Sequence, residues 1–145
     1  MRCLGIDYGE RRIGLSFGDE LGVATPLSAI TTGDRTERFV EIESVVKERR
    51  ATDLVVGYPL NMDGTAGFKA REVDAFIGDL SERIGLPVHR IDERLTTQVA
   101  SSHLPKGRDD DMRRLGRIDS MAAAVILQDF FNQHLGFDPT NNGPA

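Results

Sequence analysis

Apolar and polar positions alternate with a two-residue period over residues 2–8 and again over 12–18, which predicts two strands. In the first, Leu4 and Ile6 share one face while Cys3, Gly5 and Asp7 share the other. In the second, Ile13, Leu15 and Phe17 alternate with Gly14, Ser16 and Gly18. Gly9-Glu10-Arg11 between them is short and glycine-led, as a hairpin requires. Asp19-Glu20-Leu21-Gly22 then turns the chain into a third strand over 24–31, where Pro26 demands an edge or the strand's beginning. The period changes after Asp34. Phe39, Ile42, Val45 and Val46 recur at helical spacing, so 35–50 is predicted as a helix, with Asp34 and Glu37 offering a capping box.

The second half alternates apolar runs and helices. Residues 53–57 form a short run suited to a buried parallel strand, and 58–67 form a long turn-rich loop. Val73, Phe76, Ile77, Leu80 and Ile84 mark the next helix, which Gly85 ends with Pro87 two residues on. Residues 88–91 are a fifth strand opening into Asp92-Glu93-Arg94-Leu95-Thr96-Thr97, and a short helix is expected from near Thr97 to Leu104-Pro105. Residues 106–117 lack periodicity and read as a mobile loop. The last helix is expected to open at Asp119, with Ile118, Met121, Ala122, Val125, Ile126 and Phe130 on its inner face. The order β-β-β-α-β-α-β-α predicts an α/β fold: a five-stranded mixed sheet, three strands antiparallel and two parallel, flanked by helices. One domain over 1–134 and a flexible tail over 135–145 are expected.

Composition narrows the function classes. At 145 residues a single core can bury roughly two thirds of the unfolded surface. A hydrophobic fraction of 39% with 28% charged residues is that of a soluble globular protein, no apolar run approaches the roughly 20 residues of a bilayer span, and no leader is expected. Cys3 is the lone cysteine, which excludes an internal disulfide and fits a reducing cytoplasm; with three histidines it cannot supply a structural zinc site. The net charge of −5 argues against polyanion binding through the whole surface. Local cations remain available: Arg11 and Arg12 in the hairpin, and Lys106, Arg108, Arg113, Arg114 and Arg117 further on.

Three acids stand out by place. Asp7 lies in an apolar strand, Glu93 just past the fifth strand, and Asp119 beside the small residues Ala122 and Ala123, which let a helix approach the sheet closely. Crossover topology brings parallel strand ends to one rim, where open α/β sheets place their sites. Carboxylates about 5 Å apart repel by roughly 3 kcal/mol per pair at an effective dielectric near 20. Either their pKa values rise or a hard divalent cation, Mg²⁺ or Mn²⁺, sits among them, as phosphodiester hydrolysis uses. Each acid has a structural alternative. Asp7 can bond the Gly9 amide in a turn, Glu93 can pair with Arg90 or Arg94, and Asp119 can cap its helix. Only one of Asp92 and Glu93 should face the rim.

Four segments in series resemble the YqgF family, the Holliday-junction-resolvase-like pre-ribosomal-RNA nucleases. They are Gly5-Ile6-Asp7-Tyr8-Gly9 with Arg12-Ile13-Gly14-Leu15, Val56-Gly57-Tyr58-Pro59-Leu60-Asn61-Met62-Asp63-Gly64, Asp92-Glu93-Arg94-Leu95-Thr96-Thr97, and Asp119-Ser120 before Ala122-Ala123 and Ile126-Leu127. The resemblance implies an RNase H-like fold with Asp7, Glu93 and Asp119 as its catalytic, metal-binding acids. It also implies dependence on Mg²⁺ or Mn²⁺ and a cytoplasmic role in maturing the 5′ end of small-subunit ribosomal RNA. Ala122 or Ala123 stands where related resolvases can carry a further acid. Beside those acids, Arg11, Arg12, Asn61, Lys106, Arg108, Arg113, Arg114 and Arg117 are the candidate nucleic-acid contacts. The expected partner is structured RNA, or branched DNA for a resolvase, bound by a monomer or weak homodimer without a membrane. The competing readings are a DNA-junction resolvase, a non-catalytic RNA-binding maturation factor and, by likeness of the glycine-rich hairpin to actin-like ATPases, a nucleotide-binding module.

Overall fold

The computed structural model describes the backbone of residues 1–93 and 112–134 and the side chains of 1–93 and 120–134. The strands are β1 (Cys3–Asp7), β2 (Ile13–Gly18), β3 (Thr25–Ile30), β4 (Asp53–Tyr58) and β5 (Val88–Asp92). The helices are α1 (Arg35–Arg49), α2 (Phe68–Ile84) and α3 (Met112–His134). The sheet order is β3-β2-β1-β4-β5. β1 pairs antiparallel with β2 and parallel with β4, β2 antiparallel with β3, and β4 parallel with β5, which is the expected mixed sheet. The short helix expected after Thr97, the loop residues 106–111 and the tail 135–145 lie outside the described residues.

Strand alternation divides the core in two. Leu4, Ile6, Leu54 and Val56 point to the face covered by α1 and α2, where Phe39, Ile42, Phe76 and Leu80 meet them. Cys3, Val55 and Ile91 point to the face covered by α3, against Ile126, Leu127, Phe130 and Phe131. Burial pushes the Cys3 thiol up to about 12, so this cysteine packs as a small hydrophobe. Asp34 caps α1 as expected, its carboxylate accepting from the Glu37 amide at 2.9 Å. The second half of the capping box is absent: the Glu37 carboxylate accepts instead from the Thr32 hydroxyl at 2.7 Å. α2 ends on Gly85 at φ 75°, the left-handed cap that the sequence indicates.

The last helix differs from expectation in two respects. It begins at Met112, so Arg113, Arg114 and Arg117 are helical rather than in a loop, and Asp119 lies about two turns inside rather than at an opening cap. The acid-rich, basic-rich composition hid a helix that carries little apolar periodicity in its first turns. Its buried face also runs through Ser120, Ala123, Ile126, Leu127 and Phe130, while Met121, Ala122 and Val125 are only partly covered. Ser120 and Ala123 sit deep because the strand positions below them are small. A Cβ on Gly5 would stand 2.9 Å from Leu127 Cβ and 3.0 Å from the Ala123 carbonyl oxygen. The Ser16 hydroxyl donates to that carbonyl at 2.7 Å, and the Leu15 amide donates to Ser120 Oγ at 3.0 Å. Close packing thus seats the helix without leaving its buried hydroxyls unsatisfied.

Arg38 is buried, and it braces the β1–β2 turn against α1. Its guanidinium donates to the carbonyls of Thr32 at 2.8 Å, Gly9 at 3.0 Å and Glu10. Replacing Arg38 with Met keeps the hydrocarbon stem but removes the charged donors from three carbonyls. Urea unfolding of Arg38→Met should show a loss of about 2–3 kcal/mol; stability equal to the parent would show that the brace carries no energy.

Candidate active site

β1 and β5 flank β4, and the three parallel strands end at one rim. Asp7 is the last residue of β1, continuing the face of Cys3 and Gly5 toward α3. Glu93 directly follows β5, one residue after Asp92. Neighbouring strands lie about 4.8 Å apart, so β1 and β5 are separated by about 10 Å with β4 between them. Gly57 of β4 fills that gap with no side chain. A Cβ there would lie 2.9 Å from Glu93 Cδ and 2.5 Å from Ile126 Cδ1. The Glu93 carboxyl therefore lies over Gly57 and hydrogen-bonds the Asp7 carboxyl.

The electrostatics follow from that contact. The Glu93 pKa is raised from its ordinary 4.5 to about 8, chiefly by burial. The hydrogen bond to Asp7 and the negative charges of Asp7 and Asp92 add to the rise, and Lys69 opposes it. The Asp7–Glu93 pair thus gives up its last proton less readily than an isolated carboxyl would. Of the two acids at the strand end, Glu93 is the one over the rim, as alternation requires. Of the two arginines that could pair with Glu93, Arg90 bridges to Asp74 at 3.2 Å and lies over the Tyr58 ring, and Arg94 lies outside the described residues.

A cavity of about 490 Å³ opens on the pair, lined among others by Glu10 and Arg11 of the β1–β2 turn and by Lys69 and Glu72 of α2. Tyr8, Glu10 and Glu72 also border a second cavity of about 400 Å³ that runs between α1 and α2. Arg12 is exposed on the same turn as Arg11 and does not line the acid cavity. Asn61 does not line it either; its amide donates to Thr65 Oγ1 at 3.0 Å, in a turn where Gly64 adopts φ 89°. Lys106 and Arg108 lie outside the described residues, and of Arg113, Arg114, Arg117 and Asp119 only the backbone is described. That backbone is informative for Asp119. α3 runs from Ser120 over Leu15, past Gly5, to Phe131 over Gly18. Since Gly14 pairs with Asp7 and Gly18 with Cys3, position 119 falls toward the Asp7 end of the sheet.

Sequence reasoning passed over Lys69, Gly57 and Arg38. Gly57 had a signal, being a glycine at the end of a buried strand flanked by two acid-bearing strands. Lys69 had none, because α2 was expected to show itself only from Val73. Among the described residues no three His, Cys, Asp or Glu side chains form a metal cage. The donor chemistry nonetheless fits a hard divalent cation: two oxygen-only groups in contact, with the charge of Asp92 near Glu93, are a pair whose joint ionisation a positive charge would favour.

A five-stranded mixed sheet in this order, helices on both faces and carboxyls at its rim define an RNase H-like fold of the resolvase kind. Solved structures agree. Thermus thermophilus RuvC bound to a Holliday junction aligns with a TM-score of 0.54 at 18% identity, covering 94% of this chain and 96% of that one. The fowlpox virus Holliday junction resolvase aligns at 0.55 with 7% identity, covering 91% and 99%. The chain belongs to the RuvX family, whose model, described as Holliday junction resolvase, matches residues 1–133. Its relatives include a protein of Opitutus terrae, 52% identical over 100% of this chain and 99% of its own length. Another, from an Anaeromyxobacter species, is 43% identical over 88% and 94%. Both bear the provisional name pre-16S rRNA nuclease.

Two outcomes are expected. Gly57→Ala should cost about 1–3 kcal/mol through overpacking and should bring the Glu93 titration, followed by carboxyl ¹³C NMR, back toward 4.5; full stability with an unmoved titration would show that the carboxyls do not meet there. A carboxyl with a raised folded pKa binds its proton more tightly folded than unfolded, so stability is greatest below the ordinary pKa and declines as pH rises. In chelator, the melting temperature should therefore fall between about pH 4.5 and 8, and Glu93→Gln should flatten that decline. Parallel curves for parent and variant would remove Glu93 as the cause.

Proposed function

We propose that this protein is a divalent-cation-dependent nuclease that hydrolyses phosphodiester bonds of structured RNA, acting in the 5′-end maturation of 16S ribosomal RNA in the cytoplasm. The observation that carries this reading is the Asp7–Glu93 carboxyl contact over Gly57, at the open rim of an RNase H-like sheet. The name shared by the relatives favours precursor ribosomal RNA as substrate. Asp7, Glu93 and Asp119 would hold Mg²⁺ or Mn²⁺, which supplies Lewis acidity at the phosphoryl oxygen and offsets the charge of the acids.

The residues of the chain set up the reaction. Asp7 and Glu93 converge from strands on either side of β4, and rigid packing beneath them keeps that spacing. The last proton of the Asp7–Glu93 pair must leave before both can serve as ligands, so cation affinity rises with pH up to about 8. Arg11 borders the same cavity and meets the backbone phosphates there. In hydrolysis the oxygen of water adds to phosphorus, the bond from phosphorus to one ribose oxygen breaks, and that oxygen leaves with a proton. Arg12, Asn61 and the basic residues Lys106, Arg108, Arg113, Arg114 and Arg117 extend the contact with RNA.

A second reading rests on the family's description as a Holliday junction resolvase. Resolution cuts two opposed strands and so needs two sites, whereas RNA processing is open to a monomer or weak homodimer. With Mn²⁺ present, the purified parent should cleave a precursor carrying the 5′ flank of 16S ribosomal RNA. Folded Asp7→Asn should lose at least about 100-fold in rate. Cleavage of a four-way DNA junction in preference to that precursor would favour the resolvase; equal cleavage by Asp7→Asn would end the nuclease assignment to this site.

A further inference from the structure

We propose that Lys69 is a phosphate-binding residue of this site, holding the substrate phosphodiester from α2 in the cavity it shares with Arg11. The inference rests on the nuclease reading and deepens it. Lys69 and Arg11 both line the cavity that opens on Asp7 and Glu93, one from helix α2 and one from the β1–β2 turn, and among the described residues they are the two cations in a lining that also holds Glu10 and Glu72. A phosphodiester entering that cavity meets two cations from separate elements beside the acid pair. That arrangement suits a polyanion drawn to a negatively charged protein, because the attraction is confined to the place where the chain is cut.

Lys69 has no obvious structural reason for its position. It lies in the first turn of α2, where a cation opposes the helix dipole by about 0.3–1 kcal/mol. That turn contains no acid, and its N-cap, Gly67, makes no side-chain capping bond. A lysine that served only to neutralise the acid pair would be expected to sink into contact with it, yet Lys69 is exposed at the cavity's edge. Its charge reaches Glu93 all the same, favouring the ionised carboxyl. An anion between Lys69 and the helix end removes the conflict with the dipole and uses the exposed ammonium. Arg71, exposed two residues further on, does not line the cavity and provides an internal control of equal charge.

The test uses the full chain with Asp7→Asn as background, so that RNA is bound and not cut. Affinity for a fluorescent precursor hairpin is measured across a series of KCl concentrations for Asp7→Asn alone and with Lys69→Met, Lys69→Arg or Arg71→Met. Lys69→Met should weaken binding and reduce the slope of log affinity against log salt by about 0.7–0.9, the signature of one lost phosphate contact. Lys69→Arg should restore the slope, and Arg71→Met should leave it unchanged. Equal effects of Lys69→Met and Arg71→Met, or no effect of either, would overturn the proposal. Cleavage by the parent with Mn²⁺ is scored separately: a parent that binds with this slope pattern but never cuts fails the nuclease reading alone, and one that cuts while Lys69→Met binds normally fails the lysine alone.

Discussion

Two carboxyl groups that repel each other are made to touch because the strand between them has no side chain at the point of contact. Gly57 is the fixed feature of the rim, and the elements around it are arranged to make its emptiness useful. β1 must end at Asp7 and β5 at Asp92 for both acids to emerge over the same residue of β4. The raised proton affinity of Glu93 follows from that enforced proximity and from burial against Ile126. Such repulsion disfavours the ionised pair in the protein alone, and a hard cation bound between the carboxyls would offset it.

The opposite face of the same logic governs α3. A helix that approaches a sheet closely needs small residues beneath it, and Gly5, Ser16 and Gly18 supply them in one row. The two hydroxyls buried there are spent on the Leu15 amide and the Ala123 carbonyl, which fixes the helix along its axis as well as in depth. Because β1 and α3 are antiparallel, the end of the helix that carries Asp119 is held near the end of the strand that carries Asp7. Core packing and site geometry are therefore one problem: what sets the depth of α3 also sets where its acid-bearing turn begins.

The strands were legible because alternation leaves a direct trace in sequence, and the order of crossover connections allows few sheets. Asp7 and Glu93 could be placed at one rim for the same reason. What could not be read were features set by neighbours distant in sequence. Gly57 looks like any strand glycine until β1 and β5 are known to flank it. Arg38 drew no notice in the sequence, yet its guanidinium ends on three carbonyls of other segments. The buried stripe of α3 was read partly out of phase: Ile126 and Phe130 are buried as expected, but Ser120, Ala123 and Leu127 lie on that face in place of Met121, Ala122 and Val125. Its start was missed because Met112 to Arg117 carries charge rather than apolar periodicity.

The charge distribution completes the argument. A chain with a net charge of −5 repels RNA at long range, so attraction has to come from short-range features. Arg11 and Lys69 line one cavity together with the acid pair, and both residues are exposed. On the nuclease reading, such a site would hold a phosphate poorly while its acids are uncompensated and well once a divalent charge joined them. Substrate and cation would then assist each other through the same two carboxyls, a coupling that by linkage works equally in both directions. Selectivity would follow from the same balance: a stretch of nucleic acid away from the rim would gain nothing from the cation and would still meet the negative field of the rest of the molecule.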